Sequence, residues 1–160
     1  MLKKALLIIL GTFLLAGCGY KMTLSGKDSA FTLYPVRIEN LSKEITATSQ
    51  FIDGIKYSLA VTNTLASKDK ADYTAEFVLK ELKTSGASAS SASTTAIMNL
   101  TVNVAIFDKE KVIFNRNFNA VQSYDNTNSQ SQTRANKELA MNKAIEKTMV
   151  DFRNAFQQKK

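Results

Sequence analysis

The sequence predicts an α+β domain, a two-layer sandwich in which two helices lie on one face of a four-stranded, mostly antiparallel sheet. Two observations carry this prediction. Several strand-like segments alternate apolar and polar residues, which is typical of antiparallel strands with one buried face. Two further segments carry apolar residues at helical spacing. The order β-α-β-β-β-α, with both helices on the same side of the sheet, buries all of these apolar surfaces together.

The first strand and the first helix come early in the domain. Residues 31–40 form an extended run, and because Pro35 cannot donate to a sheet ladder, the strand should lie at an edge or start after it. Residues 48–62 predict a helix, in which Gly54 costs up to about 1 kcal/mol relative to alanine. The apolar stripe of this helix is formed by Phe51, Ile52, Ile55 and Leu59.

Three more strands are predicted, over residues 71–82, 95–107 and 112–121. The residues that should face the core are Tyr73, Ala75, Phe77 and Leu79, then Ala96, Met98, Leu100, Val102, Val104 and Ile106, and finally Val112, Phe114, Phe118 and Ala120, with Arg116 as an interruption. Residues 108–111 predict a tight turn between the last two strands. Residues 84–93 have no charge and predict a long, mobile connection.

A second helix is predicted to run to about Phe156. A linker rich in Ser, Asn and Gln precedes it at residues 122–132, where Ser129 and Gln132 have the spacing of a capping box. Its apolar stripe is formed by Met141, Ile145, Met149, Phe152 and Phe156. A single domain over residues 31–157 is therefore expected, with residues 158–160 as a frayed tail.

The only cysteine, Cys18, follows an apolar run that begins after Lys3 and Lys4. The run is too short for a membrane helix and fits the core of a secretory signal. Residues 1–17 therefore predict a lipoprotein signal peptide cleaved before Cys18. The thiol would then carry a lipid anchor, and residues 18–30 would form a lipidated tether. The alternative is an ordinary signal peptide with a buried cysteine nearby.

Composition favours a binding or assembly role over catalysis. The chain has no histidine, and lipidation of Cys18 would leave no free thiol, so the usual general base and metal ligands are missing. We therefore expect no enzyme activity, no metal and no cofactor. Cleavage lowers the formal net charge from +7 to +5, which favours acidic partners such as phosphate-bearing lipids. Nucleic acid is not expected as a partner of an exported chain.

The outward positions of two predicted strands carry neutral polar residues, namely Asn99, Thr101, Asn103, Asn115, Asn117 and Asn119. Neutral amides can bind a polar partner without the desolvation cost of buried charge. Two interpretations stay open. The face is either simply solvated or it docks against a polar-lined partner.

The chain resembles the LPS-assembly lipoprotein family, LptE, along nearly its whole length after Cys18. The match is one of element order more than of specific motifs. The segments that carry it are Cys18-Gly19-Tyr20, the first strand around Leu33 to Asn40, the strand start Ala71-Asp72-Tyr73, the run Thr101-Val102-Asn103-Val104, and Ser123-Tyr124-Asp125-Asn126 before the last helix.

The resemblance implies a lipoprotein anchored on the periplasmic side of the outer membrane, a location that Gly19 after the cysteine also favours. Family members plug the lumen of the large β-barrel LptD, help it to assemble, contact lipopolysaccharide during its delivery and are not enzymes. Because the interior of an outer-membrane barrel is polar, Asn103, Asn115 and Asn117 become candidate partner-binding residues. A pilotin-type lipoprotein that escorts another barrel or a secretin is the alternative. So is a periplasmic lipid carrier, which would need an apolar cavity.

Lipopolysaccharide is anionic, so its contact should use basic residues. In the family that the chain resembles, such residues lie at the tip of the hairpin between the second and third strands and in the segment that leads into the last helix. Residues 84–93 have none, and Lys83 is only at their base. Arg134, helped by Lys137, is therefore the candidate ligand-binding pair. The alternative is that both lie on the solvated side of the helix, flanked by Glu138.

Overall fold

The computed structural model describes residues 30–90 and 93–159, apart from the side chains of residues 87–90 and 93. The predicted signal peptide, Cys18 and nearly all of the tether lie outside the described residues. The elements in chain order are β1 (Leu33–Asn40), a short 3₁₀ turn (Ile45–Ala47), α1 (Thr48–Val61), β2 (Tyr73–Ser90), β3 (Ser93–Asp108), β4 (Lys111–Asn126) and α2 (Gln130–Gln157).

The four strands form one sheet in the order β1-β2-β3-β4. β1 pairs with β2 in parallel, and the other two pairs are antiparallel. The predicted α+β class and mostly antiparallel sheet are confirmed. β1 is an edge strand, as Pro35 predicted, and its register shifts between Pro35 and Arg37 so that Val36 has no partner. The parallel pair arises because α1 carries the chain back to the end of the sheet where β1 begins.

The prediction of a long mobile connection at residues 84–93 was wrong. β2 continues to Ser90 and β3 begins at Ser93, with Gly86 opposite Ala96 and Ala89 opposite Thr94. The predicted linker before α2 is likewise shorter, because β4 continues to Asn126. The extension of β2 consists of small or neutral polar residues, and that of β4 has Tyr124 as its only apolar side chain, so neither gives an alternation in the sequence. Their backbone groups still need partners, and the neighbouring strand supplies them.

One residue of the predicted buried face of β4 was placed wrongly. Phe114 lies opposite Ile106 while Val112 lies opposite Phe107, so Ile113 is left between two paired positions. This extra residue is a β-bulge, and it moves Val112 to the outer face of the sheet, where it is 50% exposed. The other predicted core residues of β4 are buried, and Arg116 is exposed as expected.

The predicted turn at residues 108–111 is present, since Asp108 pairs with Lys111 at the end of the β3–β4 ladder. Lys109 has a φ of 56°. This is the left-handed region, which costs a residue with a Cβ atom roughly 1 kcal/mol. A lysine is thus kept at a position where glycine or asparagine would fit more easily.

The core lies between the sheet and the two helices. Phe152 of α2 is its centre, with ring centroids 5.9 Å from Phe77, 6.0 Å from Phe114 and 6.1 Å from Phe118. All five stripe residues of α2 are buried, as predicted. In α1 three of the four are buried and Ile52 is only partly so. Both helices therefore cover the same face of the sheet.

Only half of the predicted capping box at the start of α2 forms. The hydroxyl of Ser129 accepts from the backbone N–H of Gln132 at 3.4 Å. The Gln132 side chain donates forward to Asn136 instead of back to Ser129. Thr127 takes over the missing half, because its Oγ1 accepts from the Ser129 N–H at 3.3 Å.

The two helices approach each other closely at Gly54. A Cβ atom added there would lie 2.9 Å from Cδ1 and 3.3 Å from Cγ2 of Ile145, which is buried in α2. The glycine that weakens α1 as an isolated helix is therefore the residue that lets α1 approach α2.

Gly54→Ala should destabilise the fold. Alanine gains up to about 1 kcal/mol in helix propensity, but overpacking against Ile145 costs about 1–3 kcal/mol, so we expect a net loss of about 1 kcal/mol. Urea unfolding measures the change. Ile145→Val removes the closest atom and is the matched background, in which Gly54→Ala should no longer be destabilising. A stabilising effect of Gly54→Ala in the wild-type background would contradict the close approach.

Candidate functional site

The face of the sheet opposite the helices carries a hydrogen-bonded group of asparagines. Asn103 of β3 lies directly opposite Asn117 of β4, and the next outward pair joins Ala105 to Asn115. The amide nitrogen of Asn103 donates to Oδ1 of Asn115 and to Oδ1 of Asn117, both at 2.8 Å. The structure thus brings together the three predicted partner-binding residues. We call these three residues the amide cluster.

The charged and the neutral polar side chains occupy different parts of this outer face. On the β1–β2 side, Arg37 forms ion pairs with Glu39 and with Glu76, the latter at 3.7 Å. On the β3–β4 side the amide cluster continues into Thr101 and Asn119, which lie opposite each other. The middle of this side of the outer face is therefore polar and uncharged, and the exposed Val112 and Val121 lie on either side of it along β4.

Two small apolar residues on the outer face are shielded by the polar side chains around them. Val78 lies opposite Asn103 and is 3% exposed, and Ala105 lies opposite Asn115 and is 6% exposed. Sequence reasoning missed both, although the outward position of Val78 follows from the alternation of β2. The polar side chains thus form a packed layer, which is more ordered than a set of isolated, hydrated groups.

Arg134 and Lys137 lie near the start of α2, and each faces a carboxylate. The Arg134 Nε atom donates to Glu138 at 2.9 Å, one helical turn further on, and the side chain is 83% exposed. The Lys137 ammonium lies 3.6 Å from Glu44, in the loop after β1. Exposed pairs of this kind contribute about 0–1 kcal/mol, so these carboxylates hold the cations only weakly.

The start of α2 is held against the end of β4. The side-chain amide of Asn136 donates to the backbone carbonyl of Asp125 at 2.8 Å, and Thr95 of β3 donates to the Asp125 carboxylate at 3.3 Å. The Ser123–Asn126 segment therefore ends β4 and does not form a loop. It lies beside the helical turn that carries Arg134 and Lys137.

A groove of about 610 Å³ separates parts of α1 and α2, and sequence reasoning did not predict it. Its apolar lining includes Phe31, Val61 and Met149. Arg153 lies in the same groove and is 7% exposed, and removal of its guanidinium from water lowers the pKa of that group from its ordinary value. No periodicity signals such a groove, because it depends on the distance between the two helices.

The described residues offer neither a metal cluster nor a membrane-spanning helix. Residues 30–90 and 93–159 contain no group of three or more His, Cys, Asp or Glu side chains that could hold a metal ion. Neither of the helices in this part of the chain is long and apolar enough to cross a membrane.

The comparisons with known proteins inform the fold. No family model matches the sequence, and no curated protein matches it. Protein XCC0632 from Xanthomonas campestris has a TM-score of 0.56 at 12% identity, over 81% of this chain and 87% of that one. A protein from Caulobacter crescentus described as a lipoprotein has a TM-score of 0.53 at 14% identity, over 77% and 92%. The fold thus occurs in a bacterial protein that is described as a lipoprotein.

A weaker match is rare lipoprotein B from Shewanella oneidensis, with a TM-score of 0.49 at 12% identity, over 76% of this chain and 94% of that one. This similarity is too low to assign the chain to the LptE family.

Proposed function

We propose that this protein is an outer-membrane lipoprotein, anchored through Cys18, whose outer sheet face docks in the lumen of a lipopolysaccharide-translocating β-barrel resembling LptD. In this role it assists assembly of the barrel, plugs it and helps to deliver lipopolysaccharide to the outer leaflet. The observation that carries the proposal is the amide cluster, in which Asn103 bridges Asn115 and Asn117 on the open face of the sheet.

The chemistry of the amide cluster suits a polar lumen. The interior of an outer-membrane barrel is polar, and neutral amides are desolvated at a lower cost than charged groups. Asn103 directs its amide nitrogen to both neighbours, and these three side chains have no other hydrogen bond to the described residues. The carbonyl of Asn103 and the amide groups of Asn115 and Asn117 thus have capacity for a partner.

The architecture leaves this surface accessible. Both helices lie on the opposite face, so no element of the described chain covers β3 and β4 on the outer side. The hydrogen bonds within the amide cluster also fix its side chains before a partner arrives. Fixing them in advance lowers the ordering cost of docking.

Two observations support the lipoprotein part of the proposal. The sequence places Cys18 after a signal-like apolar run. The fold occurs in a protein described as a lipoprotein. Lipid anchoring at the periplasmic side of the outer membrane would also bring the domain to the compartment where such barrels assemble.

Contact with lipopolysaccharide is assigned to Arg134 and Lys137. Their ion pairs with Glu138 and Glu44 are exposed, so an anionic phosphate can compete for them. Arginine and lysine both bind phosphate oxygens through charge-assisted hydrogen bonds. The two residues lie beside the end of β4, where the amide cluster's strand meets the last helix.

The groove between α1 and α2 supports the second candidate, a periplasmic lipid carrier. Its volume of about 610 Å³ is within the usual range of ligand sites. A carrier would be purified with lipid in this groove and without a barrel. A pilotin-type lipoprotein would be purified with a different barrel or a secretin, so mass spectrometry of the co-purifying proteins separates the three roles.

Asn115→Lys with Asn117→Lys should weaken barrel association. Both side chains are exposed, so the free energy of unfolding should change by no more than about 0.5–1 kcal/mol, while two buried charges would oppose docking. Co-purification of the barrel with the lipidated protein measures the effect. Ser49→Lys with Ala60→Lys, on the exposed side of α1, is the control with the same added charge. Full barrel recovery with the asparagine variant would leave the amide cluster as a solvated surface.

Cys18→Ala should abolish lipid anchoring of the mature domain. The acyl chains contribute about 0.8 kcal/mol per buried methylene, and no other residue offers a thiol for them. We expect an uncleaved precursor or a form released from membranes, detected by fractionation and by the mass of the N-terminal peptide. Ser25→Ala is the control in the tether. Normal fractionation of Cys18→Ala would argue against the anchor.

Arg134→Glu with Lys137→Glu should reduce binding of purified lipopolysaccharide by about tenfold or more, since each loss removes a charge-assisted hydrogen bond of about 1.5–3 kcal/mol. Barrel association and thermal stability should stay close to wild type, because the ion pairs that are lost are exposed. Lys56→Glu with Lys143→Glu is the control with the same change in charge. If both double variants bind lipopolysaccharide as well as wild type, Arg134 and Lys137 act only in surface solvation.

A further inference from the structure

The chain enters the fold at one end of the sheet. β1 begins at Leu33, opposite Tyr73, the first residue of β2. The last residues of β3 and the first residues of β4 lie at the same end, since Phe107 pairs with both Thr74 and Val112. α2 ends there too, with the Lys159 ammonium 2.6 Å from the Ile113 carbonyl. We call residues 67–70, 108–112 and 158–159 the entry end.

The entry end carries five exposed lysines, Lys68, Lys70, Lys109, Lys111 and Lys159. None of them forms an ion pair with a carboxylate of the described chain, whereas the six ion pairs that do form involve other residues. The acidic residues of this end, Asp69, Asp108 and Glu110, have shorter side chains. The Lys159 ammonium is held against the fold by the Ile113 carbonyl and the Phe114 ring, so the other four ammonium groups are the ones that can extend into solvent.

The left-handed conformation of Lys109 is a second, independent indication that the lysines of the entry end have a function. A residue kept in a strained backbone conformation is often kept for what its side chain does. Here a lysine occupies the tip of the β3–β4 turn, although glycine at that position would relieve the strain. An ammonium group is therefore present at the tip. Apolar side chains are exposed nearby. Val112 is 50% exposed, and Leu65, beside the start of β1, is 42% exposed.

We propose that the entry end lies on a membrane surface that contains anionic phospholipid. The lysines contact the lipid phosphates, and Val112 and Leu65 lie at the level of the headgroups. This inference rests on the lipid anchor of the proposed function. It goes beyond that anchor, because it assigns to the folded domain its own contact with the membrane and a fixed orientation on it.

The position of the anchor makes this end the one that reaches the bilayer. Twelve peptide units join Cys18 to Ala30, so the chain between them spans at most about 40–43 Å. The sixteen residues of β4 place the opposite end of the sheet roughly 50 Å further away. The acyl chains supply the affinity for the membrane, and the lysines decide which surface of the domain faces it.

The test uses the full-length lipidated protein in vesicles of phosphatidylcholine, with or without phosphatidylglycerol. Because Cys18 is the only cysteine and carries the lipid, an introduced cysteine can be labelled specifically. A fluorophore at Gln158→Cys reports on the entry end, and one at Ser123→Cys reports on the opposite end of β4. With a quencher on the lipid headgroups, we expect quenching at position 158 to exceed that at 123 by about fivefold in anionic vesicles.

Charge reversal separates the lysines from the anchor. Lys68→Glu, Lys70→Glu and Lys111→Glu together should remove most of the difference between the two positions. Lys43→Glu, Lys56→Glu and Lys143→Glu, with the same change in charge away from the entry end, should preserve it. Equal quenching at both positions, or no response to the entry-end reversal, would overturn the inference while leaving the anchor in place. An N-terminal peptide without the mass of the lipid would overturn both.

Discussion

The structure depends on the burial of Phe152 between α2 and the sheet. Its ring meets Phe77 of β2, Phe114 and Phe118 of β4, and Phe31 just before β1, at centroid distances between 5.9 and 6.4 Å. Edge-to-face contacts of this kind add to the burial of area. Because Phe31 takes part, the packing that holds α2 on the sheet also fixes where the chain enters the fold.

Burial of one face of the sheet under both helices leaves the other face for binding. The outer face could have carried alternating charges, as many solvated sheets do. Instead, β3 and β4 present a neutral amide cluster, and Val78 and Ala105 are shielded beneath polar side chains. A packed, neutral layer of this kind is suited to a polar partner, because its side chains are already ordered and no charge has to be desolvated.

The tip of the β2–β3 hairpin and the entry end lie at opposite ends of the domain. Between the two ends the core is continuous, from Ala96 near the hairpin to Phe156 at the end of α2. In the proposed role, the entry end contacts the membrane and the outer sheet face contacts the barrel. Because both surfaces belong to one rigid domain, their relative position is fixed. The close approach of α1 to α2 at Gly54 contributes to this rigidity. It holds α1, which follows the edge strand β1, against α2, which packs on β3 and β4.

The sequence by itself determined the element order, most of the helix-facing residues of β2 and β3 and the stripe of α2, because regular alternation and helical spacing are local signals. It also picked out Asn103, Asn115 and Asn117 as outward residues. Only the tertiary structure decided three further features. The strands extend through residues 84–90, since backbone pairing there depends on a neighbour and not on the side chains. Val112 lies on the outer face, because the bulge at Ile113 follows from the register with β3. The groove beside Arg153 depends on how far apart α1 and α2 lie, a distance that no periodicity records.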